Sequence, residues 1–391
     1  MKILSVISLG FANGGAENGL IVTDEELRSR GHETKVFASD IASDKQKFSD
    51  FEFKHINVNN PMKFIHHLFY LESFLKFRKV LKDYAPDVVH LHTMGEASPS
   101  VIFLLKNIPT ILTIHGPEMY MPDLGLWAFP SEYFRDGVYT KANLTLVGWI
   151  YYIYFCQIQR FVYKLAFRNV DLFISVSDYF RKNTPDLKPN CTVYNGSKLF
   201  NYQPIKHTKK ILFVGRLEKY KGVQFLIEAI PAVIKNQPDA RFIIVGDGVF
   251  KDQLMKRVAE LQIEPFVQFI VWIKQDELET YYGEADIVIV PSLWPEAFGR
   301  VGIEAFSVGR PVVGTNWGGI PEWLTDGQNG FLVEPGDAAA IAEKVKRLLS
   351  DKELLETFGE NARRASEKYT VSRHVDQIEA IYNDVINQYK K

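Results

Sequence analysis

Cysteine is scarce in this chain: two residues in 391, Cys156 and Cys191, without ligand-like spacing and without an adjacent histidine. That excludes a disulfide scaffold and a thiolate metal cluster, and both side chains read as reduced core thiols. Charge of one sign is not in excess either. Forty-six Lys and Arg against 47 Asp and Glu leave a formal net charge of −1, so there is no global basic field for nucleic acid and any anion site must be local. Long apolar runs are also missing. The start, residues 1–8, is too short for a signal peptide. The most apolar stretch, residues 142–167, is interrupted by Gln157, Gln159 and Arg160 before it reaches the roughly 20 residues that span a bilayer. No motif recurs at a fixed period, which removes solenoids and propellers. What remains is a globular protein, 46% hydrophobic and 24% charged, expected in the cytoplasm.

A chain of this length exceeds a single core, so two domains are expected. Short apolar runs alternate with longer segments of helical period, the pattern of parallel sheets covered by helices on both faces. Strands are predicted at residues 3–8, 34–38, 88–92, 110–114 and 172–176 in the first half. In the second half they are predicted at 210–214, 241–245, 267–271, 287–290, 311–314 and 330–333. Helices are predicted between them, among others at 16–30 and 64–83. Residues 197–208 are polar and aperiodic around Pro204, which puts the linker there and the domains at residues 1–200 and 201–391. Residues 337–391 read as wholly helical, with a final helix able to reach back across the linker.

Ligands of parallel sheets sit at the carboxyl ends of the strands, and several of those loops carry suitable residues. In the loop of residues 12–18, Gly14 and Gly15 let backbone amides approach an oxyanion at a helix start; an ordinary Gly-Gly connection is the alternative, since the dinucleotide spacing is incomplete. Residues 214–222 follow a strand with Arg216, a planar fork for phosphate, and Lys221, a point charge. Gly246-Asp247-Gly248 follows another strand, where the glycines leave room for a flat base or Asp247 simply caps the next helix. His115 ends the strand at 110–114, either facing a ligand or bonded within the core. His90 and His92 share one strand face and read as structural, there being no third ligand for a metal.

The most informative segment is Trp294 to Glu304. Glu296 and Glu304 flank a glycine-punctuated turn into an apolar helix, up to roughly 12 Å apart if the whole segment were helical, and the amides of Phe298 to Val301 with the helix dipole favour hydroxyl or phosphate oxygens. An exposed helix start with acidic residues near its positive end is the plainer reading.

Taken together, the Gly-Gly loop, the strand-ending histidine, Gly-Arg-Leu-x-x-x-Lys-Gly at 215–222, Gly-Asp-Gly and Glu-x7-Glu resemble glycosyltransferase family 4, retaining enzymes of the GT-B fold. The resemblance implies two Rossmann-like doubly wound domains facing a central cleft, the first for acceptor and the second for a nucleotide-sugar donor. It implies that Arg216 and Lys221 hold the donor diphosphate, that Glu304 binds the ribose, and that Glu296, with the amides of Phe298, Gly299 and Arg300, binds sugar hydroxyls, Ala297 belonging to the same donor site. His115 would lie beside the transferred ring, Gly15 and Gly14 beside phosphate or acceptor, and Gly246, Asp247 and Val271 near the base. No metal or other cofactor is implied. Val271 stands where family members often carry glycine, and Ser197-Lys198 where an acidic residue is usual, which loosens base preference. The implied acceptor is a glycan or a lipid-linked saccharide. A phosphorylase or epimerase on a similar frame, or a silent nucleotide-sugar binder, are the alternatives. Lys76, Arg78, Lys79 and Lys82, with Lys141, Arg160, Lys164 and Arg168 among aromatics, leave open peripheral contact with the inner membrane face beside the reading of an ordinary buried helix.

Overall fold

The computed structural model describes the chain apart from Asn13, residues 42–46, 57–62, 119–120, 122–124, 127–132 and 135–139, Trp272, Lys274 and Lys391. It divides into two units, one formed by Met1–Gly196 with Val371–Lys391 and the other by Ser197–Thr370.

The first unit holds β1 (Lys2–Leu9), β2 (Glu33–Ser39), β3 (Phe51–Phe53), β4 (Val88–Leu91), β5 (Thr110–Ile114), β6 (Leu172–Ser175) and β7 (Asn190–Thr192). Their order is β3-β2-β1-β4-β5-β6-β7, with every pairing parallel. The winding therefore reverses between β1 and β4, the position at which such sheets open a crevice. Ile3, Leu4, Val6 and Ile7 of β1 are all fully buried, because helices cover both faces and the strand needs a continuous apolar run. The final helix, Val371–Tyr389, belongs to this unit and buries Val375, Ile378, Tyr382 and Val385. That helical spacing packs them against Ile3, Leu27, Val88, Ile111 and Ile174, worth roughly 1.5–3 kcal/mol for each large apolar side chain. Arg30 pins its start, donating to Asp376 at 2.7 Å and to Glu379 at 2.5 Å.

The second unit winds in the same way: β8 (Lys210–Val214), β9 (Arg241–Val245), β10 (Val267–Ile270), β11 (Ile287–Val290), β12 (Val312–Thr315) and β13 (Gly330–Val333) lie in the order β10-β9-β8-β11-β12-β13. Its helices Val223–Ile234 and Ala338–Ser350 join one core through Leu226, Ile230, Ile341 and Val345. The linker is fastened to this unit by Arg310. Its buried guanidinium donates to the carbonyls of Gln203 and Pro204 and to those of Tyr282 and Gly283.

Three features depart from the sequence-based expectation. The helix expected at 64–83 is two, Lys63–Leu68 and Leu71–Tyr84. Between them Tyr70 is extended and its N–H is bonded to Ser98 Oγ at 3.2 Å, a tertiary contact that the local period does not encode. The helical tail is three helices, interrupted at Asp351, whose carboxylate caps the next one, and at Thr370. The three-residue edge strands β3 and β7 were not anticipated, since each exists only as a partner for its longer neighbour. Among the described residues, no helix is long and apolar enough to cross a membrane.

Candidate active site

In the second unit the winding reverses between β8 and β11, and the loops leaving these two strands are stitched together. Leu293 N–H donates to Tyr220 O at 2.7 Å. Gly222, at φ +75°, lies so close that a Cβ there would meet Pro291 O at 1.8 Å. Only glycine permits both that conformation and that approach. The contact brings Lys221, on the short turn Lys219–Lys221, to Glu296: Nζ to Oε1 is 2.6 Å. Ser292 Oγ donates to the same Oε1 at 2.6 Å. The ammonium also sits 4.8 Å from the ring centroid of Trp294, a cation–π contact. Burial pushes the Glu296 carboxyl up, but the charge and hydrogen bond of Lys221 and the hydroxyl of Ser292 outweigh it, so the group lies below the usual carboxylate range. It is an ionised acceptor, fixed in place.

Glu296 leads directly into the helix Arg300–Val308, which starts at Gly299 in the left-handed region and is braced by Trp323, whose indole N–H donates to Phe298 O at 2.6 Å. Ala297, Phe298 and Arg300 are buried around this helix start. Glu304, one turn into the helix, accepts from the Tyr282 hydroxyl at 3.0 Å. Burial raises its pKa, opposed by Arg300 and Tyr282. The two carboxyls are therefore tuned in opposite directions. Arg216 is exposed, its guanidinium 5.7 Å from the Tyr220 ring centroid.

Gly246 and Gly248 are points of close backbone approach. A Cβ at Gly246 would meet Gly215 O at 1.9 Å, and one at Gly248 would meet Leu217 O at 2.4 Å. These glycines let the loop after β9 lie against the loop that carries Arg216. Asp247 does not cap the following helix: that helix, Lys251–Glu260, starts after Phe250 without a side-chain cap, and the exposed Asp247 faces Lys251 at 3.5 Å. Val271 follows β10 and is exposed.

In the first unit, Gly15 opens the helix Gly15–Ser29 after Gly14, and a Cβ on Gly15 would meet nothing within 4 Å. Asn13 of the same loop lies outside the described residues. His115, after β5, pairs its Nε2 with His92 Nδ1 at 2.9 Å. Sequence reasoning did not single out Ser292 or Tyr282, and gave Trp294 no role beyond opening the segment that ends at Glu304. Both cysteines are free thiols, and no cluster of three metal-ligating side chains occurs among the described residues.

Residues 13–197 match the family model described as Glycosyltransferase Family 4, and residues 197–365 the one described as Glycosyl transferases group 1. The chain is 27% identical to N-acetyl-alpha-D-glucosaminyl L-malate synthase of Bacillus anthracis, over 100% of this chain and 99% of that one. Among solved structures, sucrose-phosphate synthase from Thermosynechococcus elongatus superposes with a TM-score of 0.77 at 21% identity, covering 99% of each chain. Anabaena HepE in complex with UDP-glucose gives a TM-score of 0.70 at 21% identity, covering 98% of this chain and 100% of that one. The fold is the GT-B fold, built from two Rossmann-like parallel-sheet domains.

Proposed function

Because the chain belongs to glycosyltransferase family 4 and is a glycosyltransferase, we propose that it transfers a sugar from a nucleoside-diphosphate donor with retention of configuration. The observation that carries this reading is the contact of Lys221 with an ionised Glu296 immediately ahead of a helix N-terminus. One side of the site is cationic, suited to a diphosphate. The other offers a fixed carboxylate for sugar hydroxyls. In this assignment Arg216 and Lys221 bind the leaving diphosphate, and Glu296 with the first-turn amides orients the sugar. Glu304, held by Tyr282, takes the ribose hydroxyls, and Gly246, Asp247 and Val271 border the base. His115 contacts the transferred sugar, and Gly15 admits phosphate or acceptor.

The chemistry then needs no nucleophilic side chain. As the glycosidic bond breaks, the ring gains oxocarbenium character and charge accumulates on the diphosphate, where each well-placed donor contributes about 3–4 kcal/mol. The departing phosphate oxygen takes the acceptor's proton on the same face, giving retention. A nucleotide-sugar panel scored by protection against heating identifies the donor, and proton NMR of the first-formed anomer reads the stereochemistry. Arg216→Ala and Glu296→Ala should each lower turnover at least about a hundredfold. Near-normal rates in both, an inverted product, or a glycosyl adduct on Glu296 would overturn the mechanism.

The acceptor we assign to this enzyme is a lipid-linked saccharide reached at an anionic membrane surface. Support comes from the first unit, where Phe64 packs its ring on Tyr151, Tyr154 and Phe155. This joins two apolar segments that expose Ile65, Phe69, Leu71 and Leu75 on one side and Leu146, Ile150, Ile153 and Phe161 on the other. Lys76, Arg78, Lys79, Lys141 and Lys164, all exposed, belong to the same helices or flank them, a pairing of apolar and basic surface that suits an anionic interface. The protein should sediment with anionic liposomes and much less with neutral ones, and Leu146→Glu with Ile150→Glu should release it. Absence of sedimentation at low salt would refute the assignment.

A further inference from the structure

Three histidine rings stand in a row at the carboxyl ends of β4 and β5. His90 and His92 have ring centroids 4.2 Å apart, and His92 and His115 5.1 Å apart at an interplanar angle of 29°. Their nitrogens are used unequally. His90 is bonded at both, Nδ1 to the Tyr382 hydroxyl and Nε2 to the Thr113 hydroxyl, each at 2.7 Å. His92 is bonded at one: Nδ1 meets His115 Nε2 at 2.9 Å, while its Nε2 is buried with no hydrogen-bond partner.

We propose that His92 is a positioning residue for His115, fixing the His115 ring as the tautomer that carries its proton on Nδ1 and keeping that ring uncharged. The proposal rests on the reading of His115 as the residue in contact with the transferred sugar. A neutral imidazole has one N–H and one bare nitrogen, so the short contact permits two arrangements. If His115 donated from Nε2, the proton of His92 would be on its own Nε2, a buried donor without an acceptor. If His92 donates from Nδ1, what is left unpaired is a lone pair, and a buried orphan lone pair is tolerated more readily than an orphan N–H. The second arrangement is therefore selected, and His115 bears its hydrogen on Nδ1.

The same contact opposes a charge on His115. An imidazolium there would turn an Nε2–H toward the Nδ1–H of His92, and His92 could yield only by moving its proton to the unpartnered nitrogen. Among the described residues, the titratable groups that bear on His92 are His90 in β4, His115 after β5 and His374 on the final helix. Burial followed by each of these three histidines disfavours a charge on His92, with no carboxylate among the causes. His90, between Thr113 and Tyr382, is driven down to about 3 by burial and by His115 and His374. An uncharged His115 suits the proposed chemistry, since it sets no positive charge beside a ring that is itself becoming positive.

The test uses the full chain and ring-nitrogen NMR of His115, which needs no donor or acceptor. In the wild type, His115 should show the Nδ1–H pattern and should not titrate between pH 8 and pH 5. His92→Asn, whose amide N–H can stand where Nδ1–H stood, should preserve both properties. His92→Phe, which keeps the ring and removes the nitrogens, should let His115 titrate near its ordinary value of about 6.5. The acid limb of kcat/KM should move with it, a loss of about tenfold at pH 5.5 relative to wild type. An Nε2–H tautomer in the wild type would overturn the proposal without any variant, so a poorly folding His92→Phe does not shield it. Unchanged His115 titration in His92→Phe, or an Asn variant that behaves like Phe, would overturn it and leave the sugar-contact reading standing. Full turnover by His115→Ala would instead overturn that reading, and with it any part for His92 in the reaction.

Discussion

The contact between Lys221 and Glu296 can be dissected by a double-mutant cycle with Lys221→Met and Glu296→Gln. At 2.6 Å, an effective dielectric constant of about 20 gives a gross attraction of roughly 6 kcal/mol. Desolvation of two groups that are both largely buried removes much of it. Each single variant leaves the other charge buried without its counter-charge, which costs about 3–5 kcal/mol. The double variant leaves two neutral groups and should be less destabilised than the two singles summed, with a coupling of about 2–4 kcal/mol. A pH signature accompanies the energy. In the wild type the Glu296 pKa is lowered, so its stabilisation is present above the unfolded carboxyl value and is lost as pH falls through the folded one. Without Lys221, burial dominates and the folded pKa becomes raised. The sign inverts, and the deficit of Lys221→Met should shrink as pH falls from 7 toward 4.5. Denaturant titrations at both pH values measure these quantities, read on the transition of the second unit. Additivity of the two substitutions within about 0.5 kcal/mol, or a deficit independent of pH, would refute the electrostatic account of the pair.

Three further substitutions test other parts of the molecule. Gly222→Ala forces a Cβ against Pro291 O from a left-handed backbone, so the loops of Lys221 and Glu296 must separate; about 2–4 kcal/mol of stability and most of the thermal protection by nucleotide-sugar should go, and retained protection would count against the stitched-loop geometry. Gly15→Ala meets nothing within 4 Å and should leave melting within about 0.5 kcal/mol of wild type while lowering turnover, since the added methyl occupies space assigned to a ligand; unchanged kinetics would remove Gly15 from the site. Asp24 is pushed up to about 7 by burial, with Arg28 only partly opposing, and its Oδ1 is buried without a partner. Its folded pKa is thus above the unfolded value, so stability is fully present below about pH 3.8 and is lost as pH rises through 7. Asp24→Asn should therefore melt higher than wild type at pH 8, by about 1–3 kcal/mol, with the advantage vanishing by pH 4; equal stability at both pH values would refute this.

Legibility in the sequence followed the range of the interactions. The strand at 110–114 and those at 210–214, 241–245, 287–290 and 330–333 appear with the bounds expected from their apolar runs, because strands buried on both faces need only a local composition. Lys221 and Glu296 were also visible, each being the polar residue of a loop that leaves such a strand. Their partners were not. Ser292 and Tyr282 reach Glu296 and Glu304 through the fold, and nothing in a serine or tyrosine beside an apolar run announces that. The glycines of Gly246-Asp-Gly248 were visible as points of close approach, but the backbone of Gly215 and Leu217 that comes near them was not, since glycine does not say what approaches. The break at Phe69–Tyr70 was hidden for the same reason: the hydroxyl of Ser98 that engages Tyr70 lies 28 residues away in sequence.

The two units use one winding order for opposite electrostatic ends. At the reversal between β8 and β11, a cation, a carboxylate and a helix start are packed together, and the pair holds because each charge answers the other in a site that water reaches poorly. Beside the reversal between β1 and β4, the strand ends hold imidazoles joined to hydroxyls and to one another, with burial driving the proton off His90 and His92. Under the proposed function, negative charge would develop on a leaving diphosphate and positive charge on a sugar ring, and the two kinds of strand end would suit these separate tasks. The strand order alone would permit either arrangement in either unit. It is the side chains at the strand ends, Lys221 with Glu296 in one and His92 with His115 in the other, that set the two apart.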